Sequence, residues 1–356
     1  MHLEQYIQVL TYTILAGIIV LINFISLIII FWSKTLMSKP STVLLINLIG
    51  THLLQGMVVM PIYALRKSKQ YPADSYPIVC DCWRFSYMLT FYGTCINVLL
   101  IGLDRFIATK YFIKYSGQHY KHHHFLSMVS LAWTYVLLLC LIPFIPINRG
   151  ETPNHPFYCH YIQPPEWTSF MLIFNTVLPY LSVILIYVYI SKQIGNSTKV
   201  AYKNGKTNNN NNNSNNKNLQ IEENVRDKRF DSKDSSCAII IESIPKSKKS
   251  WQYKKVTKLT FRIIFIYGAT WAPSIIYYSI TTMKPSTFSQ AYYVSQLEMI
   301  LTFTIKYITF FNAAAAPILY CYNHTEFKKE AKRFFITLKK KCCGASTKRY
   351  NVSIRR

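Results

Sequence analysis

Seven stretches of the chain are free, or nearly free, of Asp, Glu, Lys and Arg. There are 29 such residues between Glu4 and Lys34, 26 between Lys39 and Arg66, and 19 between Arg84 and Asp104. A further 27 separate Lys121 from Arg149, 25 separate Glu166 from Lys192, and 21 separate Arg262 from Lys284. The seventh runs from Met299 to Glu326 and is broken once, at Lys306. A helix needs about 20 mostly apolar residues to cross a bilayer. The pattern therefore predicts an all-α chain with seven spanning helices. After the seventh stretch, Phe327, Ala331, Phe334, Phe335 and Leu338 share one helical face, and Lys328, Lys329, Lys332 and Arg333 lie largely on the other. That is the pattern of a helix lying on a membrane surface.

Prolines at 61, 143, 179, 273 and 317 fall inside these stretches. In water they would argue against helix, but a bundle can satisfy the carbonyls that a proline frees. The first stretch is too long for a signal peptide and lacks a basic leading segment, so it reads as an uncleaved span. Residues 193–253 contain the run Asn208 to Asn213 and no apolar periodicity, the composition of a disordered loop. The expected organisation is a short N-terminus (1–10), a seven-span domain (11–322), an amphipathic helix (323–338) and a basic tail (339–356).

Composition sharpens this picture. The 356 residues are 51% hydrophobic and only 15% charged, with a net charge of +25. Hydrophobic content excludes full disorder. Size and only nine cysteines exclude a secreted disulfide scaffold. Basic residues kept out of the long apolar runs argue against a nucleic-acid partner. With the N-terminus outside, 33 of the 40 Lys and Arg residues fall on the cytoplasmic side, where anionic lipid head groups would meet them. Arg66, Lys67 and Lys69 in the first outer loop run against that bias.

The landmarks inside the spans resemble the rhodopsin-like (class A) G-protein-coupled receptors over nearly the whole chain. They are Asn23, the pair Asn47-Leu48, Asp104-Arg105-Phe106, Trp133, Pro179 with Tyr187, Trp271-Ala272-Pro273, and Ala316-Pro317-Ile318-Leu319-Tyr320, followed by Phe327. The resemblance implies a plasma-membrane receptor that couples an extracellular ligand to a heterotrimeric G protein, with no enzyme activity, no cofactor and no resident metal. It assigns the activation switch to Asp104, Arg105, Tyr187, Tyr320, Trp271, Pro273 and Pro317. Many relatives carry a carboxylate on the sixth span that pairs with the arginine. Here that region reads Tyr253-Lys254-Lys255, so this lock is absent and basal signalling is expected.

The resemblance also implies a disulfide between Cys80 and Cys159, both in an oxidising compartment, with Cys82 as a competitor. Cys342 and Cys343, beside Lys339 to Lys341, are palmitoylation candidates. Ser232, Ser235, Ser236, Ser346 and Thr347 are candidate sites for receptor kinases and hence arrestin. His52 stands where relatives carry Asp, and Ala316 where they carry Asn or Asp. With Thr94 and Asn312 as the only oxygens left, the sodium pocket of the family is expected to be lost. His52 then reads as a neutral imidazole bonded to Asn312 or Thr94, or as a proton-sensitive switch.

Amine receptors carry Asp at the position of Tyr87, and opsins carry Lys at the position of Phe310, so neither ligand class is expected. Lys306 and Arg84 over a floor of Tyr87, Phe91, Trp271 and Tyr278, with Phe310 one turn from Lys306, suggest a ligand with an acidic group. A peptide is favoured, with a lipid or small organic acid as the alternative. A membrane enzyme would need acids at membrane depth. A transporter would show internal repeats or Gly-interrupted helices. Neither feature is present.

Overall fold

The computed structural model describes residues 3–68, 76–111, 115, 121–145, 165–193, 261, 265–277, 279–280, 296–323 and 325–350. Among these residues there is helix and no strand. The helices are α1 (Leu3–Trp32), α2 (Thr42–Ser68), α3 (Tyr76–Lys110), α4 (His122–Leu141), α5 (Ser169–Gln193), α6 (265–277), α7 (Gln296–Asn323) and α8 (Thr325–Tyr350). Five, α1 to α5, are long and apolar enough to cross a membrane. Of the sixth stretch, residues 265–277 and 279–280 are described, all as helix. The seventh forms the 28-residue α7. Helix α1 starts at Leu3, within the segment expected as a free N-terminus, and α8 runs past Leu338 to Tyr350.

The prolines are accommodated in three ways. A proline clashes with the carbonyl four residues earlier and cannot donate to it. In α2 and α5 a π turn, Gln55–Val59 and Ile173–Val177, contains that carbonyl and ends two residues before Pro61 and Pro179. The wider turn makes room for the ring. In α7, Pro317 leaves the Ala313 carbonyl without its helical donor. Asn23 of α1 supplies one: its Nδ2 donates to Ala313 O at 3.0 Å as well as to Ile19 O. Pro143 sits in a 3₁₀ turn, Ile142–Phe144, that closes α4.

Polar side chains also join α2, α3 and α4. Asn47 donates to Asn97, Asn97 donates to Thr51 Oγ1 (2.9 Å), and Trp133 Nε1 donates to Asn47 Oδ1 (2.7 Å). In a bilayer, unsatisfied polar groups are costly, so this closed set pins the three helices in register. Gly56 permits the close approach of α1, since a methyl group there would press on Ile19 and Val20. Helix α8 docks by Phe327, buried among Ile29, Ile30, Leu45 and Ile49, with Phe334 edge-on to Trp32. Lys39 pairs with Glu326 at its start. Phe335 and Leu338, expected on the same apolar face, are left exposed. Residues 194–260, which include the expected disordered loop, lie outside the described residues.

Candidate functional site

At the end of α3, Asp104 is 1% exposed and paired with Arg105, Nη2 to Oδ2 at 2.6 Å. Tyr115, beyond the helix, donates its hydroxyl to Asp104 Oδ1 at 2.7 Å and also reaches Ser41. Burial first, and then the Asp104 charge, push the Tyr115 phenol above its ordinary pKa, so it remains a donor. A buried carboxylate is tolerable only with such partners. Arg105 itself is half-buried, with its charge neutralised in place.

Deeper in the bundle, Cys95, Val98, Val183, Tyr187, Tyr267 and Trp271 form one cluster from α3, α5 and α6. Cys95 Sγ and Tyr267 Oη share a hydrogen bond of 2.6 Å between α3 and α6. Phe91 lies against Trp271, ring centroids 4.4 Å apart. Pro273 is half-buried two residues on. Tyr187 and Trp271 thus stand in a single packed unit, while the Tyr320 side chain lies outside the described residues.

At the opposite end from Arg105, a second cluster joins α1, α2 and α7 through Tyr12, Ile19, Tyr63 and Phe310. Lys306 sits above it, 2% exposed, with Nζ 3.8 Å from the Tyr87 ring centroid and 5.5 Å from that of Trp83. Phe310 packs edge-on against Tyr87, Tyr63 and Tyr12. Tyr87 packs against both clusters, touching Trp271 at 6.4 Å on its other side. Trp271 Nε1 is buried without a hydrogen-bond partner among the described residues.

The structure brings Lys306, Tyr87, Phe91, Trp271 and Phe310 together. Arg84 does not join them. It pairs with Asp81 at 3.2 Å and lies over Phe144 of the α4 end at 4.3 Å. Tyr278 lies outside the described residues. Sequence reasoning missed Arg66, Tyr63, Trp83 and Tyr115. Arg66 lies over Trp83 at 4.3 Å and over Tyr63 at 5.5 Å. The spacing Tyr63-x-x-Arg66 on one face and Trp83 one turn before Tyr87 were visible signals for this group.

Cys80 is disulfide-bonded, and Cys82 is a free thiol. Cys159 lies outside the described residues, as do the side chains of Cys342 and Cys343. His52, Thr94, Asn312 and Ala316 are all buried. Thr94 donates to its own helix at Thr90 O (2.7 Å), and neither nitrogen of His52 has a hydrogen-bond partner among the described residues. The expected bond from His52 to Thr94 or Asn312 is therefore not formed. His122 and His124 engage Met37 O and the Lys121 amide, which accounts for two of the three adjacent histidines as caps.

No curated protein matches the chain. The family model of the 7 transmembrane receptors (rhodopsin family) matches residues 22–320.

Proposed function

The chain belongs to the rhodopsin family of seven-transmembrane receptors, and from this we propose how it signals. It is a multi-pass membrane receptor, not an enzyme. Our reading is that it stands in the plasma membrane with its N-terminus outside and carries the binding of an extracellular ligand to a heterotrimeric G protein. The observation that carries it is the aromatic contact running from Lys306 through Tyr87 and Trp271 to the α3–α6 bond of Cys95 and Tyr267. Ligand and G protein each favour one arrangement of that packed unit, so each tightens the binding of the other.

The assigned roles are as follows. Lys306, Tyr87, Phe91, Trp271, Tyr278 and Phe310 line the ligand pocket. Trp271, Pro273, Tyr187, Tyr320 and Pro317 form the moving unit. Arg105 meets the G protein once released from Asp104. Cys80 pairs with Cys159. The basic α8 and tail face anionic lipids, with Cys342 and Cys343 as acylation sites, and arrestin and receptor kinases act on the phosphorylated loop and tail. A peptide with an acidic group is the leading ligand. A lipid or small organic acid is the second reading, supported by the buried cation Lys306. A ligand screen with nucleotide exchange on a panel of G proteins tests this. Ligand-driven exchange lost in Arg105→Ala is expected. Uptake of a labelled solute without any exchange would overturn it.

A further inference from the structure

Three polar atoms at the junction of α1, α2 and α7 make no hydrogen bond among the described residues. They are Oδ1 of Asn23 and both ring nitrogens of His52, residues that are 0% and 1% exposed. Packing sets the two level with one another. A Cβ on Gly56 would sit 3.0 Å from Ile19 and Val20, so α2 meets α1 closely there. Further inward, Leu45 and Ile49 pack in one cluster with Ile29 and Ile30. Positions 45, 49, 52 and 56 share one face of α2. His52 therefore lies between these two contacts with α1, at the depth of Asn23.

The amide of Asn23 is fixed in orientation. Its Nδ2 gives one hydrogen to Ile19 O at 2.8 Å and the other to Ala313 O at 3.0 Å, and a carbonyl accepts only from a donor. Oδ1 is thus held as an acceptor without a donor. A neutral imidazole carries one N–H and one bare nitrogen, so His52 holds a donor without an acceptor at the same junction. A buried donor and acceptor left apart are costly, and more so in a bilayer, where no solvent reaches them.

Two further observations tie this cost to a particular arrangement of the bundle. Arg105 is paired with Asp104 in the same structure, so the unmade bond belongs to the closed arrangement. The π turn Gln55–Val59 begins three residues after His52. A π turn holds one residue more than an α turn, and its rearrangement rotates the adjoining segment by roughly 100° at most. The segment that carries His52 therefore has an element able to move it against Asn23.

Resting on the receptor reading above, we propose that the His52 N–H donates to Asn23 Oδ1 only in the activated arrangement, so that the bond unmade here favours opening. His52 is a positioning residue of the switch. It acts through Asn23 on the Ala313 carbonyl that Pro317 leaves without a helical donor, the point where α7 bends most easily.

The full chain in lipid nanodiscs tests this without a G protein. A ketone-bearing amino acid at positions 110 and 261, both exposed and on the inner side of the bundle, carries spin labels and leaves the native cysteines intact. The label distances give the ratio of opened to closed bundle. His52→Leu has a similar volume and no polar atom to leave unmade. It should raise the thermal-unfolding midpoint and lower the ratio about fivefold, the weight of one hydrogen bond. His52→Gln, whose amide can place an N–H near the position of the imidazole Nε2, should keep the ratio of the unaltered chain. A lower midpoint in His52→Leu would overturn the proposal, because His52 would then be satisfied in the closed arrangement. Identical distances in all three chains would overturn it too, as would a ratio in His52→Gln that falls as far as in His52→Leu. If His52→Leu does not fold, His52→Phe decides by the same criteria. A failure here leaves the receptor reading standing, and a failure of nucleotide exchange leaves the His52–Asn23 bond standing.

Discussion

Arg66 and Arg105 stand at opposite ends of the bundle and are held in opposite ways. Arg105 is paired with Asp104, a carboxylate that is itself buried and shared with Tyr115. Its countercharge is one residue away in sequence. Arg66 lies over the rings of Trp83 and Tyr63, with Lys306 and Lys67 near the same rings, and its Nη1 has no hydrogen-bond partner among the described residues. Ring faces attract a cation by about 0.5–2 kcal/mol, less than a buried carboxylate does, and they leave its charge uncancelled. One end is therefore closed and suited to a switch that opens. The other holds its cation against ring faces.

The strongest way to break this comparison is at Asp104. Asp104→Ala should lower stability by about 3 kcal/mol, because a buried pair loses one partner. The drop is measured as a lower thermal-unfolding midpoint, and free Arg105 should raise ligand-free nucleotide exchange. Arg105→Ala should bring that exchange below the level of the unaltered chain. Equal basal levels would contradict the expectation that the receptor signals without ligand.

Next is Tyr115→Phe, which removes a hydrogen bond to a charged acceptor and should cost about 2 kcal/mol. The phenol's pKa is raised by folding above its ordinary 10.0, so its contribution is complete below pH 10 and declines as the pH rises further. Unfolding midpoints of the unaltered chain should fall above pH 10 more steeply than those of Tyr115→Phe. Parallel curves would remove Tyr115 from the closed end.

Lys306→Ala should weaken binding of an acidic ligand on the order of tenfold, about 1.4 kcal/mol, with little effect on the ligand's amide. Equal losses for acid and amide would mean that Lys306 shapes the pocket without reading charge. Smaller still, Cys95→Ala or Tyr267→Phe loses one neutral bond between α3 and α6, about 1 kcal/mol. That corresponds to a shift of roughly fivefold in basal exchange, and the double variant should add little to either single one. The smallest effect expected is none. Replacing sodium by choline at constant ionic strength should leave the unfolding midpoint unchanged, because the side chains of His52 and Ala316 offer sodium no oxygen. A sodium-specific rise would restore the pocket.

The membrane architecture was legible because bilayer solvation acts on runs of adjacent residues, and runs are what a sequence displays. Asp104-Arg105 was legible for the same reason: the partners are neighbours. Arg66 was legible only as a charge on the wrong side of an orientation count. Its meaning depends on Trp83 and Lys306, and nothing local announces a contact with a residue so far along the chain. Arg84 shows the converse. Its place at the top of α3 suggested the pocket, but the helix face it occupies turns it to Asp81 and Phe144. The bond assigned to His52 failed similarly, since Thr94 satisfies itself on its own backbone.

The prolines mark the same boundary. Composition shows that each one frees a carbonyl, because the missing N–H is covalent. Only the packed structure decides the remedy: a π turn before Pro61 and Pro179, and a donor from α1 before Pro317. Sequence alone determined which segments enter the membrane and which charges must stay at its surfaces, since transfer free energy is a sum over local residues. Tertiary structure decided which cations share a site and which carbonyls find donors, since those depend on the rotation and depth of helices packed side by side.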